Sequence, residues 1–144
     1  CVVQVGGPVG EQSEGLPMIG QQVDVISVKT HGQGFIDVTG DVAHWLSAQR
    51  AGDGLLTLFL RHTSASLTIQ ENADPDVLRD LADTLDRLAP RDLPYLHSSE
   101  GADDMPAHVR ALLTATSLAV PVKAGLLSPS AAAGALTPVS VGCP

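Results

Sequence analysis

The order of residues along this chain predicts an α+β fold, and three observations predict it. A nearly continuous apolar run, Leu55 to Leu60 (LLTLFL), has the length and composition of a central strand. Pro75 to Leu88 carries leucines at positions 78, 81, 85 and 88, the 3, 4, 3 spacing of one helical stripe. Strand-like and helix-like segments follow one another in mixed order rather than in strict alternation, which favours α+β over a doubly wound sheet.

Taken in order, residues 1 to 17 belong to a stretch with five Gly and two Pro before position 21 and read as a flexible leader. The chain begins at Cys1 and its first Met is Met18, so the natural domain is expected to start near Met18. Val23, Val25, Ile26 and Val28 form a β-rich run whose parity slips at Ile26, which predicts a bulge. Gly32 and Gly34 mark a turn into Phe35, Ile36 and Val38. A short helix fits Asp41 to Arg50, with Thr39 as its cap and Val42, Trp45, Leu46 and Gln49 at helical spacing. Gly52-Asp53-Gly54 ends it before the central strand.

In the second half, Asp74 is placed to cap the helix from Pro75 to Leu88, Pro75 takes the first helical position where its missing N–H costs nothing, and Pro90 stops the run. A further helix from Pro106 to Thr114 would bury Val109, Leu112 and Leu113. Ser117 to Val122 (SLAVPV) reads as a strand whose Pro121 prefers an edge. Residues 124 to 144 contain no charge and no period of 2 or 3.6, which predicts a poorly ordered tail.

The chain has 144 residues, 44% of them apolar, with 16 acidic and 8 basic side chains. That is enough for one domain with a packed core. A net charge of −8 repels a phosphate backbone, and four aromatic residues are too few for a base-stacking platform, so nucleic acid is not an expected partner. No apolar run approaches the roughly 20 residues needed to cross a bilayer. With no signal-peptide pattern, a cytoplasmic location is expected. The two cysteines, Cys1 and Cys143, lie at the ends, where a disulfide has little to staple, and no CxxC pair exists.

Chemistry concentrates in two loops that each lead into a helix. The first, Arg61 to Pro75 (RHTSASLTIQENADP), packs an imidazole, hydroxyls, a carboxamide and carboxylates into one connection. The second, His97 to His108 (HSSEGADDMPAH), sets two imidazoles around three carboxylates. Between Glu71 and Asp104 there are ten acids against three bases. Such groups at helix N-termini can move protons near neutral pH, bind a divalent cation or hold an anion. Asp74 reads first as a cap, Asp76, Asp80, Asp83 and Asp86 as a solvated helix face, and His31 and His44 as surface histidines. Arg61 fits an ion pair as well as an anion contact. His62, His97 and His108 sit among hydroxyls and acids in non-periodic segments, which makes each as plausible in a site as in a structural role.

The stretches HTSASLTIQENADPDV (62–77), EGADDMPAHVRALL (100–113) and TSLAVPV (116–122) resemble the YjbQ family of small proteins, also called secondary thiamine-phosphate synthases, over about residues 18 to 123. The resemblance implies a β-sandwich-like arrangement of mixed or antiparallel sheets with two or three helices, a homotrimer, and a site lined by both motifs. It implies a secondary reaction joining hydroxymethylpyrimidine diphosphate to a thiazole phosphate with release of diphosphate. His62, Ser64, Asn72, Asp104 and His108 would then be catalytic, with Arg61, Thr63, Ser66, Glu100 and Asp103 binding a small phosphorylated metabolite. A divalent metal, Mg or Zn, suits displacement of diphosphate, with Asp103 or Asp104 as its ligand. The second reading is a trimeric metal- or small-ligand-binding protein without turnover that uses His62, His97 and His108. The ending after Gly125 departs from the family pattern, which predicts impaired activity.

Overall fold

The computed structural model describes residues 1–8, 20–62, 64–70, 74–128 and 139–143. Five strands, β1 (Val2–Pro8), β2 (Gln21–Ser27), β4 (Gly54–Leu60), β6 (Ser117–Lys123) and β7 (Leu126–Leu127), form a sheet in the order β2-β1-β4-β6-β7. A smaller sheet has the order β3-β8-β5, from β3 (Gly34–Asp37), β8 (Val139–Cys143) and β5 (Ser66–Ile69). Every ladder in both sheets is antiparallel. Three helices, α1 (Thr39–Ala48), α2 (Pro75–Leu88) and α3 (Asp104–Leu113), complete the described elements. The α+β expectation is what the structure shows.

One core explains the arrangement. Along β4, Leu56, Leu58 and Leu60 point inward and are buried, while Leu55, Thr57 and Phe59 face out. They meet Val3 and Val5 of β1, Val120 and Val122 of β6, and Val42, Trp45 and Leu46 of α1. Leu67 of β5 belongs to the same cluster and Ile36 of β3 packs against it, so the two sheets share a core in sandwich-like fashion. An isolated bridge between Leu67 and Ala115 ties the smaller sheet to the start of β6.

The expected leader over residues 1–17 is corrected for its first half. Val2 to Pro8 is a strand between β2 and β4, with Val3 opposite Leu60 and Val5 opposite Leu58. Its glycines are part of the strand rather than breakers. A Cβ on Gly7 would lie 3.2 Å from the Trp45 ring and 3.4 Å from Leu56 Cδ1, so a larger residue would press the indole and the leucine a few tenths of an ångström aside. Residues 9–17 lie outside the described residues. The expected bulge at Ile26 is absent, because the β1–β2 register runs unbroken from Val2 opposite Ser27 to Pro8 opposite Gln21. Ile26 packs against the core on one face while Val23 and Val25 face solvent on the other. Asp24 shares the face of Ile26, and its carboxylate accepts a hydrogen bond from Trp45 Nε1 at 3.2 Å.

Helix starts differ in their caps. Asp74 caps α2 as expected, accepting from the Asp76 amide at 2.9 Å. In α1 the expected cap Thr39 is instead the first helical residue, and its amide donates to the Asp37 carboxylate at 2.8 Å. The helix expected from Pro106 begins two residues earlier, at Asp104. Its buried side is Pro106, Ala107 and Arg110, whereas Leu112 (84% exposed) and Leu113 face out. Likewise Leu78, Leu81 and Leu85 of α2 are half-buried and Leu88 is exposed. The apolar stripes are real, but within one chain they are only partly covered.

The ending also departs from expectation. Gly125, at φ +77°, turns β6 into β7, where a Cβ would stand 2.6 Å from the Ala51 carbonyl oxygen. The Pro121 carbonyl accepts from the Ser128 amide at 2.9 Å, so the proline's missing donor faces the sparsely paired side and costs β4 no bond. Val139–Cys143 then forms the middle strand of the smaller sheet, pairing β3 on one side and β5 on the other. The tail expectation therefore fails over these two strands, because β3 and β5 each offer an edge whose backbone groups need a partner.

Candidate metal centre

The second polar loop becomes a site through the start of α3. Asp104 is the first residue of that helix and His108 lies four positions later, so both project from one face. Gly101, at φ +124°, bends the chain just before the helix, and a Cβ there would press on the Asp103 carboxylate at 3.0 Å. His97, on the far side of this bend, is brought over the first helical turn.

Three donor atoms converge. His97 Nε2 is 2.9 Å and His108 Nε2 3.5 Å from Asp104 Oδ2, and the two rings lie 6.1 Å apart at an angle of 57°. One ligand atom from each of the three residues lies within 4.8 Å of the other two. Asp104 is only 21% exposed, and its Oδ2 is buried yet makes no hydrogen bond. At 2.9 Å, His97 Nε2 stands at ion-pair distance from Asp104 Oδ2 whenever the ring is protonated. A carboxylate oxygen this close to two imidazole nitrogens can pair with a protonated ring or share a cation with both rings when they are neutral.

The first polar loop makes a different arrangement. His62 Nδ1 accepts from the Ser64 amide at 3.1 Å and lies 3.3 Å from Ser64 Oγ, so the neutral ring carries its proton on Nε2. Among the described residues, the group that could hold a metal ion is His97, Asp104 and His108 and does not include His62, whereas the expected set was His62, His97 and His108. Spacing in sequence alone does not show that a carboxylate one helical turn before His108 lies beside both rings. Arg61 is exposed, and its amide donates to Val2 O at 3.1 Å. Ser66 is half-buried at the start of β5, whereas Glu100 and Asp103 are exposed and outside the cluster. Thr63 and Asn72 lie outside the described residues. Arg110 was not singled out from sequence. It is 7% exposed, and its Nη2 donates to Asp86 at 2.7 Å and to the Ala89 carbonyl at 3.3 Å. An arginine on the core side of an amphipathic helix was the available signal.

Fold and site together define a small α+β protein with two antiparallel sheets, three helices and a His–Asp–His cluster at a helix start. The family model described as "UPF0047 protein YjbQ-like" matches residues 24–134, and the chain belongs to that family. UPF0047 protein sll1880 of Synechocystis is 45% identical over 108 residues, 74% of each chain. UPF0047 protein YjbQ of Escherichia coli O157:H7 is 42% identical over 101 residues, 69% of this chain and 73% of that one. Among solved structures, the conserved hypothetical protein TT1486 of Thermus thermophilus superposes with a TM-score of 0.70 at 35% identity, covering 82% of this chain and 86% of that chain. The match to the family model extends past residue 123, into the segment that departs from the pattern in sequence.

Proposed function

We propose that this chain is a metal-dependent member of its family, with His97, Asp104 and His108 holding one divalent transition metal. The observation that carries the reading is the buried Asp104 Oδ2 within 2.9 and 3.5 Å of two imidazole nitrogens. With metal–ligand bonds of about 2.0 to 2.2 Å, neighbouring ligand atoms in tetrahedral or octahedral coordination stand roughly 3.0 to 3.5 Å apart, which these separations fit. Two imidazoles suit zinc or a neighbouring transition metal better than magnesium, which prefers oxygen. Three protein ligands leave at least one position for water or substrate. Titration of metal-free protein with zinc is expected to give one site per chain, lost in Asp104→Ala and weakened at least about tenfold in His97→Ala. Equal zinc affinity in all three proteins would overturn the reading.

The finer proposal is that the centre serves a thiamine-phosphate synthase reaction on phosphorylated small molecules. A bound divalent metal would supply charge neutralisation for a leaving diphosphate. The chain's own contribution is positional: Asp104 and the two histidines would fix the cation at a helix start, and His62, whose Nδ1 is taken by the Ser64 amide, would offer its Nε2–H to a phosphoryl oxygen. Support for this reaction comes from the motif resemblance. Synthase turnover by wild type that is lost in His108→Ala would uphold it, whereas zinc binding without turnover would leave the non-catalytic metal-binding module.

Assembly as a homotrimer is proposed with it. The outer sheet face exposes Val23, Val25, Leu55, Phe59 and Leu126, and the helical side exposes Leu88, Leu112 and Leu113. Exposed apolar surface on this scale supports self-association.

A further inference from the structure

At one end of the larger sheet, the connection from α1 to β4 is clamped to the turn between β6 and β7. Asp53 Oδ2 accepts from Lys123 Nζ, Asp53 Oδ1 accepts from the Ala124 amide at 2.7 Å, and the Gly52 carbonyl accepts from the Gly125 amide at 3.2 Å. Both side chains of the ion pair are more than half exposed, so the clamp stands in water. Gly54 follows Asp53, and this is the one Asp-Gly pair in the chain, which has no Asn-Gly pair. None of these residues belongs to the His–Asp–His cluster.

An Asp-Gly pair is open to ring closure, because glycine has no side chain to hinder attack by its amide nitrogen on the neighbouring carboxyl carbon. The Gly54 nitrogen bonds to Asp53 Cγ, the carboxyl hydroxyl breaks away, and it leaves with the amide proton as water. Water then opens the succinimide at the Asp53 main-chain carbonyl, so that the chain runs through the former side chain as isoaspartate. Two features of the fold oppose the first step. The bonds from Lys123 and Ala124 hold the Asp53 carboxyl below its ordinary value of 3.8, and a carboxylate has no hydroxyl to lose. The Leu60 amide donates to Thr116 O at 2.8 Å, and by the two-residue alternation of an antiparallel ladder Gly54, opposite Val122, also directs its amide at β6. We infer that Asp53-Gly54 is a latent isoaspartate site guarded by the clamp on the β6–β7 turn. Isomerisation adds a carbon to the main chain where β4 begins and removes the side-chain carboxylate that Lys123 and Ala124 hold, so the clamp cannot re-form and the edge strand β7 is released one way.

Ageing of the full chain at neutral pH, with isoaspartate at position 53 read by peptide mapping, tests the site and its guard together. Wild type unfolded in guanidinium chloride is expected to isomerise at least about tenfold faster than folded wild type, since unfolding removes both restraints. Folded Lys123→Met is expected to isomerise about threefold or more faster than folded wild type, since only the Ala124 amide then holds the carboxylate. Lys123→Arg keeps the cation and is expected to age at the wild-type rate. Absence of isoaspartate in the unfolded chain would overturn the inference, because no site would exist. So would equal rates in the folded and unfolded wild type, which would leave no guard, or equal rates in folded wild type and Lys123→Met, which would remove the clamp as its cause.

Discussion

At the scale of single residues, glycines and one exposed ion pair set local conformation in ways that can be measured. Gly7 lies under the Trp45 ring, so Gly7→Val is expected to cost about 1 to 3 kcal/mol in urea unfolding through overpacking, and a neutral outcome would mean that β1 does not pass there. Asp53 closes the β6–β7 turn by accepting from Lys123 Nζ and from the Ala124 amide at 2.7 Å. The Lys123 hydrogen bond, then the Ala124 amide, hold the Asp53 carboxyl below its ordinary value of 3.8. The same pairing raises Lys123 above its ordinary 10.5. The small stabilisation from Asp53 is therefore present above pH 3.8 and lost as pH falls through its lower folded value, while that from Lys123 is present below pH 10.5 and lost as pH rises through its higher one. Carboxyl NMR is expected to place the Asp53 midpoint below 3.8 and to move it upward in Lys123→Met. An unchanged midpoint in that variant would remove Lys123 as the main cause.

Among the elements, those with strong local signals were legible and those defined by distant partners were not. The α2 boundaries and its Asp74 cap follow from Asp-Pro at the start, the leucine period and Pro90 at the end. Removing the cap with Asp74→Ala is expected to cost about 1 kcal/mol, measured by denaturant unfolding, and no loss would mean that the Asp76 amide finds another acceptor. The central strand β4 was equally clear, because six apolar or β-favouring residues in succession leave few alternatives. In contrast, β1 was read as a leader because Gly6, Gly7 and Pro8 resemble turn punctuation, and only the Trp45 ring across the core shows why glycine stands there. β8 has just Val139-Ser140-Val141 as a strand signal, and its place depends on edges offered by β3 and β5 more than 60 positions earlier in the chain. The His–Asp–His cluster was partly legible: the second polar loop carried its side chains, but grouping Asp104 rather than His62 with the two histidines required the helix register that sets Asp104 and His108 on one face. A chain starting at Gly20, without β1, is expected to lose cooperative unfolding, since β2 and β4 would both lose their shared neighbour.

For the whole molecule, the uncovered apolar surface of the outer sheet face and of Leu88, Leu112 and Leu113 is what the proposed homotrimer would cover. Light scattering is expected to give three times the 14.9 kDa chain mass, and a strictly monomeric protein would remove the trimer. No helix among the described residues is long and apolar enough to cross a membrane. Zinc affinity is expected to fall toward acid pH, because protons compete with the metal for both imidazoles. The most direct measurement of the central claim is X-ray absorption at the zinc edge of the loaded protein. It is predicted to show a nitrogen and oxygen shell with the scattering of two imidazoles, and no bound zinc in Asp104→Ala. A shell containing sulfur, or one imidazole or none, would contradict a centre built from His97, Asp104 and His108.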